Sequence, residues 1–326
     1  MAADALVIVG CGWIARRHAA AARRLGVPII FASRDAGRAR AYAREFGGIG
    51  AFDDYARALG DPRVQGAIVC TPHDRHHADV LAALAAGRHV LVEKPIACTL
   101  EEAGRMVEAA ARAGRVLMVA ENFHFMPAFR HVRALIGAGR LGELRELHLV
   151  ARAFRRHAGW RIDASAAGGG VLIDVGIHYV HALRWWGGAV RRVFALRPPQ
   201  TVDGMAGEDA VDLLAELEGG VVAFLANSLG AHGISRFQWS TVTGRSGTCF
   251  LDNRGRVVAV RGGGRPSVRL FRRDIRGHEA MLMAFREAMR TGIAREMDGA
   301  EGRRDLAVVL AAYRSIAEGR AVEPAC

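Results

Sequence analysis

The stretch ALVIVGCGWIA, residues 5–15, decides how the rest of the chain is read. An apolar run of strand length passes directly into Gly10, Gly12 and Ala15, the GxGxxA spacing of a loop that joins a strand to a helix. The first glycine permits the tight turn, the second lets backbone approach a pyrophosphate, and the small Ala15 allows helix and strand to pack closely. Trp13 and Ile14 open a helix whose free N–H groups and dipole favour an anion. Near-continuous apolar runs recur at PIIFAS, GAIVC, HVLVEK and VLMVA, as expected for strands covered on both faces. Alanine- and arginine-rich helical patterns such as RRHAAAARRLG and HADVLAALAAG lie between them, closed by glycine where a helix ends. This rhythm predicts a doubly wound parallel sheet, an α/β Rossmann domain over residues 1–121.

After Glu121 the texture changes. A helix from about Pro127 to Ala138 leads to a long strand, ELRELHLVARAF, and the glycine-rich AAGGG opens a helix through VLIDVGIHYVHALRWW. Strand-like runs follow, with EGG at Glu218–Gly220 reading as a hairpin turn. Two helices, from about Gly277 and Ala300, close the chain. The expectation for residues 122–326 is an α+β domain with a large, mostly antiparallel open sheet.

The 326 residues are 51% hydrophobic and 24% charged, ordinary values for globular domains. The net charge of +12 could serve a nucleic acid, but the arginines are scattered and no nucleic-acid motif accompanies them, so no such partner is expected. No apolar run of eighteen residues escapes a charge or glycine break, so no membrane partner is expected either. The first strand begins at Ala5, which leaves little room for a targeting segment. The five cysteines are odd in number and carry no CxxC pair, a pattern of reduced thiols. The expected compartment is cytoplasmic.

The second strand ends in FASRD, where Ser33, Arg34 and, one turn on, Arg38 offer a hydroxyl and guanidiniums to a ribose 2′-phosphate. NADP(H) is favoured and NAD(H) remains possible, with Asp35 the competing ribose ligand. Thr71 and Pro72 end the fourth strand at the edge where ligands of doubly wound sheets bind. His73, His76 and His77 follow, and although His73 and His77 have the i, i+4 spacing of metal ligands, no third ligand stands nearby, so no metal is expected. Glu93 and Lys94 end the fifth strand. Lys94 is the single lysine among 45 basic residues, and unlike arginine it can yield a proton near neutral pH. In the second domain Asp174, His178 and His181 follow i, i+4, i+7 spacing on one helix stripe. A carboxylate beside a histidine suits a proton shuttle; a merely solvated polar stripe is the alternative.

The order GCGWIA, TPHDRHHADVLAALAAGRHVLVEKPIA and AGGGVLIDVGIHYVHALRWWGG resembles the Gfo/Idh/MocA family of oxidoreductases nearly end to end. The resemblance implies that Lys94, Asp174 and His178 form the catalytic set. It implies substrates among sugars, polyols and related cyclic alcohols and ketones, and a homodimer or homotetramer formed through the second-domain sheet. Asn122, His124, Trp160 and Arg161, with Asp174, His178 and His181, are the expected substrate contacts. Two departures stand out: His181 occupies a position where the family commonly has Asp, and Phe125 one where polar residues are frequent. With Phe123, Phe154 and Trp160, Phe125 suggests a site of low polarity, unless these aromatics are core. The expected enzyme moves hydride between nicotinamide C4 and a secondary alcohol or ketone, His178 exchanging the hydroxyl proton under Asp174 and Lys94 holding the substrate oxygen. A glycoside-cleaving enzyme that retains its NAD and a non-catalytic dinucleotide sensor are the alternatives.

Overall fold

The computed structural model describes residues 4–233 and 237–325, so Cys326 lies outside the described residues. The chain forms two compact units, Met1–Glu121 with His278–Arg303, and Asn122–Gly277 with Arg304–Cys326.

In the first unit β1 (Ala5–Val9), α1 (Trp13–Arg24), β2 (Ile29–Ala32), α2 (Ala36–Phe46), β3 (Gly50–Phe52) and α3 (Tyr55–Leu59) are followed by β4 (Val64–Val69), α4 (His76–Ala85), β5 (His89–Glu93), α5 (Leu100–Ala113) and β6 (Leu117–Ala120). The six strands are all parallel, in the order β3-β2-β1-β4-β5-β6. The order reverses direction at β1 and β4, which is where doubly wound sheets open a ligand crevice. Every residue of β1 and β2 is buried, so their apolar runs show no alternation. A capping box of Thr99 and Glu102 starts α5, and Gly114, in the left-handed region, ends it.

The second unit contains α6 (Asn122–Phe125), α7 (Pro127–Gly137), β7 (Leu144–Arg152), α8 (Ala164–Ala167), α9 (Ile177–Gly187), β8 (Val190–Leu196), β9 (Ala210–Leu217), β10 (Val222–Ser228), β11 (Trp239–Gly244), β12 (Gly247–Asp252), β13 (Val257–Gly262) and β14 (Ser267–Leu270). Their sheet runs β14-β13-β12-β11-β7-β10-β9-β8 and is antiparallel except for the β7–β10 pair. Gly219 and Gly220, both at positive φ, turn β9 into β10. Leu147, Leu149, Leu213, Ala215, Ala223 and Leu225 are buried on one face. On the other, Leu196, Leu214, Val222, Phe224 and Trp239 remain between 37% and 58% exposed.

The last two helices are α10 (His278–Thr291) and α11 (Gly299–Glu318). The expected second domain of residues 122–326 is therefore corrected: residues 278–303 belong to the first unit. The cause is packing that no local pattern encodes. Met289 lies against Gly66 of β4, where a Cβ would come within 2.7 Å of its sulfur, and the Val119 N–H donates to the Met297 carbonyl at 2.7 Å.

The expected single α-helical stripe through Asp174, His178 and His181 is corrected as well. Leu172–Gly176 is a π-helical segment that continues into α9, and its wider turn removes Asp174 from strict α spacing. The helical run Ala164–Gly187 is long and apolar enough to cross a membrane by length and composition, but 72% of its apolar window is buried inside the protein. It is the core helix under the sheet.

Candidate functional site

In the first unit the glycine loop is built as its spacing requires. Gly10 has φ +92, and a Cβ there would stand 3.0 Å from the Cys70 backbone and the Thr71 methyl. Gly12 has open space instead, and it caps α1 without any side-chain hydrogen bond. The first turn of α1 carries no acidic residue, so its free N–H groups suit a diphosphate. Ala15 is fully buried, while Trp13 is exposed beneath the Arg17 guanidinium, 5.3 Å from its ring centre. These residues fit the dinucleotide that the loop implies.

At the end of β2 the buried Ser33 hydroxyl accepts from the Asp35 N–H at 3.2 Å. Asp35 itself caps α2, accepting from the Arg38 N–H at 3.0 Å, with the Arg38 Nε 3.9 Å away. The competing ribose ligand thus serves as a helix cap through one oxygen while its side chain stays 60% exposed, and Arg34 and Arg38 flank it in the sequence.

Glu93, expected at the cofactor, is buried and pairs with His18 of α1 at 2.6 Å. Burial alone would raise the Glu93 carboxyl, but the His18 hydrogen bond and the charges of His18, Lys94 and His278 hold it below the usual range. His18 escaped the sequence reading, although it falls on the buried stripe of Ala15, Ala19 and Ala22. The pair fixes α1 to β5, the strand that ends at Glu93 immediately before Lys94. His76 makes a second tie: its ring nitrogens lie 2.7 Å from the Pro95 carbonyl and 3.0 Å from the Thr71 carbonyl. No group of three or more potential metal ligands occurs among the described residues.

In the second unit the glycine entry to the π segment is clamped. The Tyr313 hydroxyl accepts from the Gly170 and Ile173 N–H groups, both at 3.2 Å, and donates to Glu208 at 2.8 Å. Glu208 also accepts from the Leu172 N–H at 3.0 Å. A Cβ at Gly170 would lie 2.1 Å from the Glu208 carbonyl oxygen, so only glycine fits. Burial raises the Glu208 carboxyl despite these bonds, and burial together with the Glu208 charge raises Tyr313 well above its ordinary value.

The clamp sets the position of Asp174. Its buried carboxylate accepts from Arg161 Nε at 3.1 Å and lies 3.6 Å from His157 Nε2. Arg161 in turn lies over Trp160, 4.3 Å from the ring centre. His178 stacks on Phe123 at 4.4 Å with an interplanar angle of 8°. Asp174, Arg161, Trp160 and His178 thus lie on elements joined by direct contacts, with His157 an addition that sequence reasoning missed.

His181 and His124 are placed differently. His124 Nδ1 is 2.9 Å from His181 Nε2, His181 Nδ1 is 2.9 Å from Asp305 Oδ2, and Arg184 donates to the other Asp305 oxygen. Both histidines and Asp305 are buried, and Trp185 stacks on His124 at 4.1 Å. Burial would raise the Asp305 carboxyl, but His181 and Arg184 bring it below its ordinary value. Since Asp305 accepts from His181 Nδ1–H, a neutral His181 presents an Nε2 lone pair to the N–H of His124. Asn122 donates to the Arg276 carbonyl at 2.8 Å. Phe125 is core, 1% exposed, whereas Phe154 is exposed and stacked on His232.

Residues 5–121 match the family model described as an oxidoreductase family with an NAD-binding Rossmann fold, and residues 129–250 match the GFO/IDH/MocA C-terminal domain. The chain is 37% identical over 188 residues to 1,5-anhydro-D-fructose reductase of Ensifer adhaerens, covering 55% of each chain. It is 32% identical over 199 residues to trans-1,2-dihydrobenzene-1,2-diol dehydrogenase of Mus musculus, covering 59% of this chain and 57% of that one. The matched stretch therefore spans little more than half the length of these relatives. Among solved structures, a levoglucosan dehydrogenase in complex with NADH superposes with a TM-score of 0.89 at 21% identity, covering 99% of both chains, a likeness of fold. The aldose–aldose oxidoreductase of Caulobacter crescentus has a TM-score of 0.89 at 25% identity, covering 98% of this chain and 99% of that one. With both domain models matched in order along one chain, the protein belongs to the Gfo/Idh/MocA family of oxidoreductases.

Proposed function

We propose that the protein is an NADP(H)-preferring oxidoreductase that interconverts a secondary alcohol and a ketone on a cyclic sugar, anhydro sugar or related polyol. The observation that carries this reading is the buried Asp174 carboxylate, held by Arg161 and clamped at its helix entry by Glu208 and Tyr313, four residues before His178. When bound, the dinucleotide supplies or accepts the hydride at nicotinamide C4. His178 exchanges the hydroxyl proton, Asp174 sets its charge and orientation, and Lys94 holds the substrate oxygen as a compact cation. Ser33, Arg34 and Arg38 receive the 2′-phosphate, with Asp35 engaged as a cap. The names of the relatives, an anhydrofructose reductase and a dihydrodiol dehydrogenase, support a cyclic substrate of modest polarity, as does Phe123 against His178.

The exposed apolar row on the open sheet supports a homodimer or homotetramer, because contiguous apolar patches on a folded surface mark association sites. Phe224→Asp should lower the mass measured by light scattering. A cytoplasmic setting belongs to the same reading, the four described cysteines being free thiols.

The test begins with Lys94→Arg. The variant should bind NADPH within about threefold of the wild type yet lose about 100-fold or more in kcat on a panel of cyclic ketones and keto sugars. An unchanged kcat removes Lys94 from the reaction. Dinucleotide released only on denaturation, with no net cofactor turnover, would instead favour a glycoside-cleaving enzyme that retains its cofactor.

A further inference from the structure

Two charged residues stand in succession where β5 ends. Glu93, the last residue of the strand, is buried, and Lys94 follows it half-buried. The Cα atoms of consecutive residues are about 3.8 Å apart, so the backbone fixes the two charges as neighbours. Side chains of four other segments are electrostatically coupled to the Glu93 carboxyl: His18 of α1, Cys70 after β4, His76 of α4 and His278 of α10. Burial lowers His76 and raises Cys70, so both are neutral at pH 7.

His18 has a fully buried side chain, and its Nε2 lies 2.6 Å from Glu93 Oε1. Burial pushes the Glu93 carboxyl toward its protonated form, and the hydrogen bond from His18 is the largest influence in the other direction, ahead of the charges of His18, Lys94 and His278. Together these keep Glu93 a carboxylate that accepts from the His18 N–H. Coupling between two charges is reciprocal: the Lys94 ammonium favours the carboxylate, so the carboxylate favours the ammonium to the same degree. The histidine on α1 thus governs a charge beside Lys94 without touching the lysine's own chemistry.

We propose that His18 and Glu93 are positioning residues for Lys94: the His18 N–H keeps Glu93 a carboxylate, and that fixed negative charge keeps the proton on the Lys94 amine. The inference deepens the reading in which Lys94 holds the substrate oxygen as a compact cation, and its bearing on turnover rests on that reading. When a carbonyl carbon accepts hydride, negative charge develops on its oxygen. An ammonium beside that oxygen stabilises the charge, and a neutral amine does so far less.

Because Lys94 is the single lysine of the chain, its proton can be read directly. Only the unprotonated amine attacks trinitrobenzenesulfonate, so the rate of trinitrophenylation at pH 8, followed by mass spectrometry of the peptide containing Lys94, measures the free amine. The full-length protein is used without added dinucleotide. Glu93→Gln keeps an acceptor for His18 and removes the charge, and Lys94 should then react about threefold faster or more. His18→Leu removes the donor, lets burial protonate Glu93, and should give a similar rise. His18→Gln retains an N–H donor and should stay within about 1.5-fold of the wild type. Equal rates in the wild type and a folded Glu93→Gln overturn the proposal. A rise of the same size in His18→Leu and His18→Gln, with none in Glu93→Gln, is loosened packing in place of a lost charge and overturns it equally. Should His18→Leu not fold, Glu93→Gln decides. The underlying reading fails separately: an unchanged kcat in Lys94→Arg removes Lys94 from turnover and leaves these rates as they are.

Discussion

Replacing Asp305 with asparagine exchanges one buried carboxylate oxygen for an amide nitrogen and removes the charge shared by His181 and Arg184. In the wild type Oδ2 accepts from His181 at 2.9 Å and Oδ1 accepts from Arg184. The side chains of His181 and Asp305 are 3% exposed and that of Arg184 is 11% exposed, so water screens little of the interaction. An asparagine can still accept from one of these donors but must point its own N–H₂ group toward the other. Removing one partner of a buried charged pair costs about 3–5 kcal/mol. For a unit of this size each kcal/mol moves the melting temperature by roughly 2–4 °C, which gives a fall of roughly 6–20 °C. Trp185, stacked on His124 at 4.1 Å and near His181 at 5.8 Å, offers a local fluorescence signal for the urea or thermal transition. The pH dependence has a definite sign. Asp305 is held below its ordinary 3.8, so its contribution is complete above that value and is lost as pH falls through the depressed folded pKa. The share of the gap between wild type and Asp305→Asn that belongs to the Asp305 charge should therefore persist down to about pH 4 and shrink only below it. A loss smaller than about 1 kcal/mol at neutral pH would refute the reasoning, because the median exposed ion pair is worth no more than that.

Three further outcomes are expected. The Ser33→Asp, Arg34→Ala double variant should move the ratio of kcat/KM for NADPH over NADH toward NADH by about tenfold or more, through lost charge-assisted bonds and gained repulsion; an unmoved ratio would show that the 2′-phosphate lies elsewhere. Gly10→Ala places a methyl 3.0 Å from the Cys70 backbone at a φ of +92, so it should cost about 1–3 kcal/mol in a denaturant melt and weaken NADPH binding. Wild-type values for both would mean that the loop relaxes freely. Phe123→Leu removes the ring stacked on His178 and should lower kcat about three- to tenfold with NADPH affinity unchanged, whereas Phe123→Tyr should retain activity. A pure rise in KM would assign Phe123 to substrate binding instead.

The parallel sheet was legible because its strands are covered on both faces, so their apolar runs are continuous and the glycine loop falls where the first strand meets its helix. The alternating β9 and β10 were legible for the opposite reason, having one open face. The return of residues 278–303 to the first unit was not, since Gly66 and Met289 are more than two hundred positions apart and either would suit many neighbours. The π segment was hidden for a related reason: the periodicity of VLIDVGIHYVH is compatible with an α-helix, and only the clamp of Glu208 and Tyr313 on the glycine entry accompanies the wider turn.

The site residues divide by the same logic. Lys94, Asp174 and His178 are visible as chemistry because each is a reactive type at an element end or on a helix stripe. Their supports are visible only as composition. His18 occupies a buried stripe otherwise filled by alanine, which was a signal, since a histidine there needs a partner, and Glu93 supplies it at 2.6 Å. Asp305 sits within DLAVVLAAY, where a carboxylate opening an apolar helical face is equally in need of one. His181 and Arg184 meet it, and that meeting explains the departure at position 181: with the carboxylate delivered from α11, a second carboxylate on α9 would face Asp305 as a like charge, whereas a histidine donates to it. Substituting His181→Asp should therefore destabilise the protein by about 2–4 kcal/mol at neutral pH, and Asp305→His in the same chain, which returns a possible donor to the pair, should recover part of that loss. Additive losses in the double variant would mean that the two positions do not constrain one another.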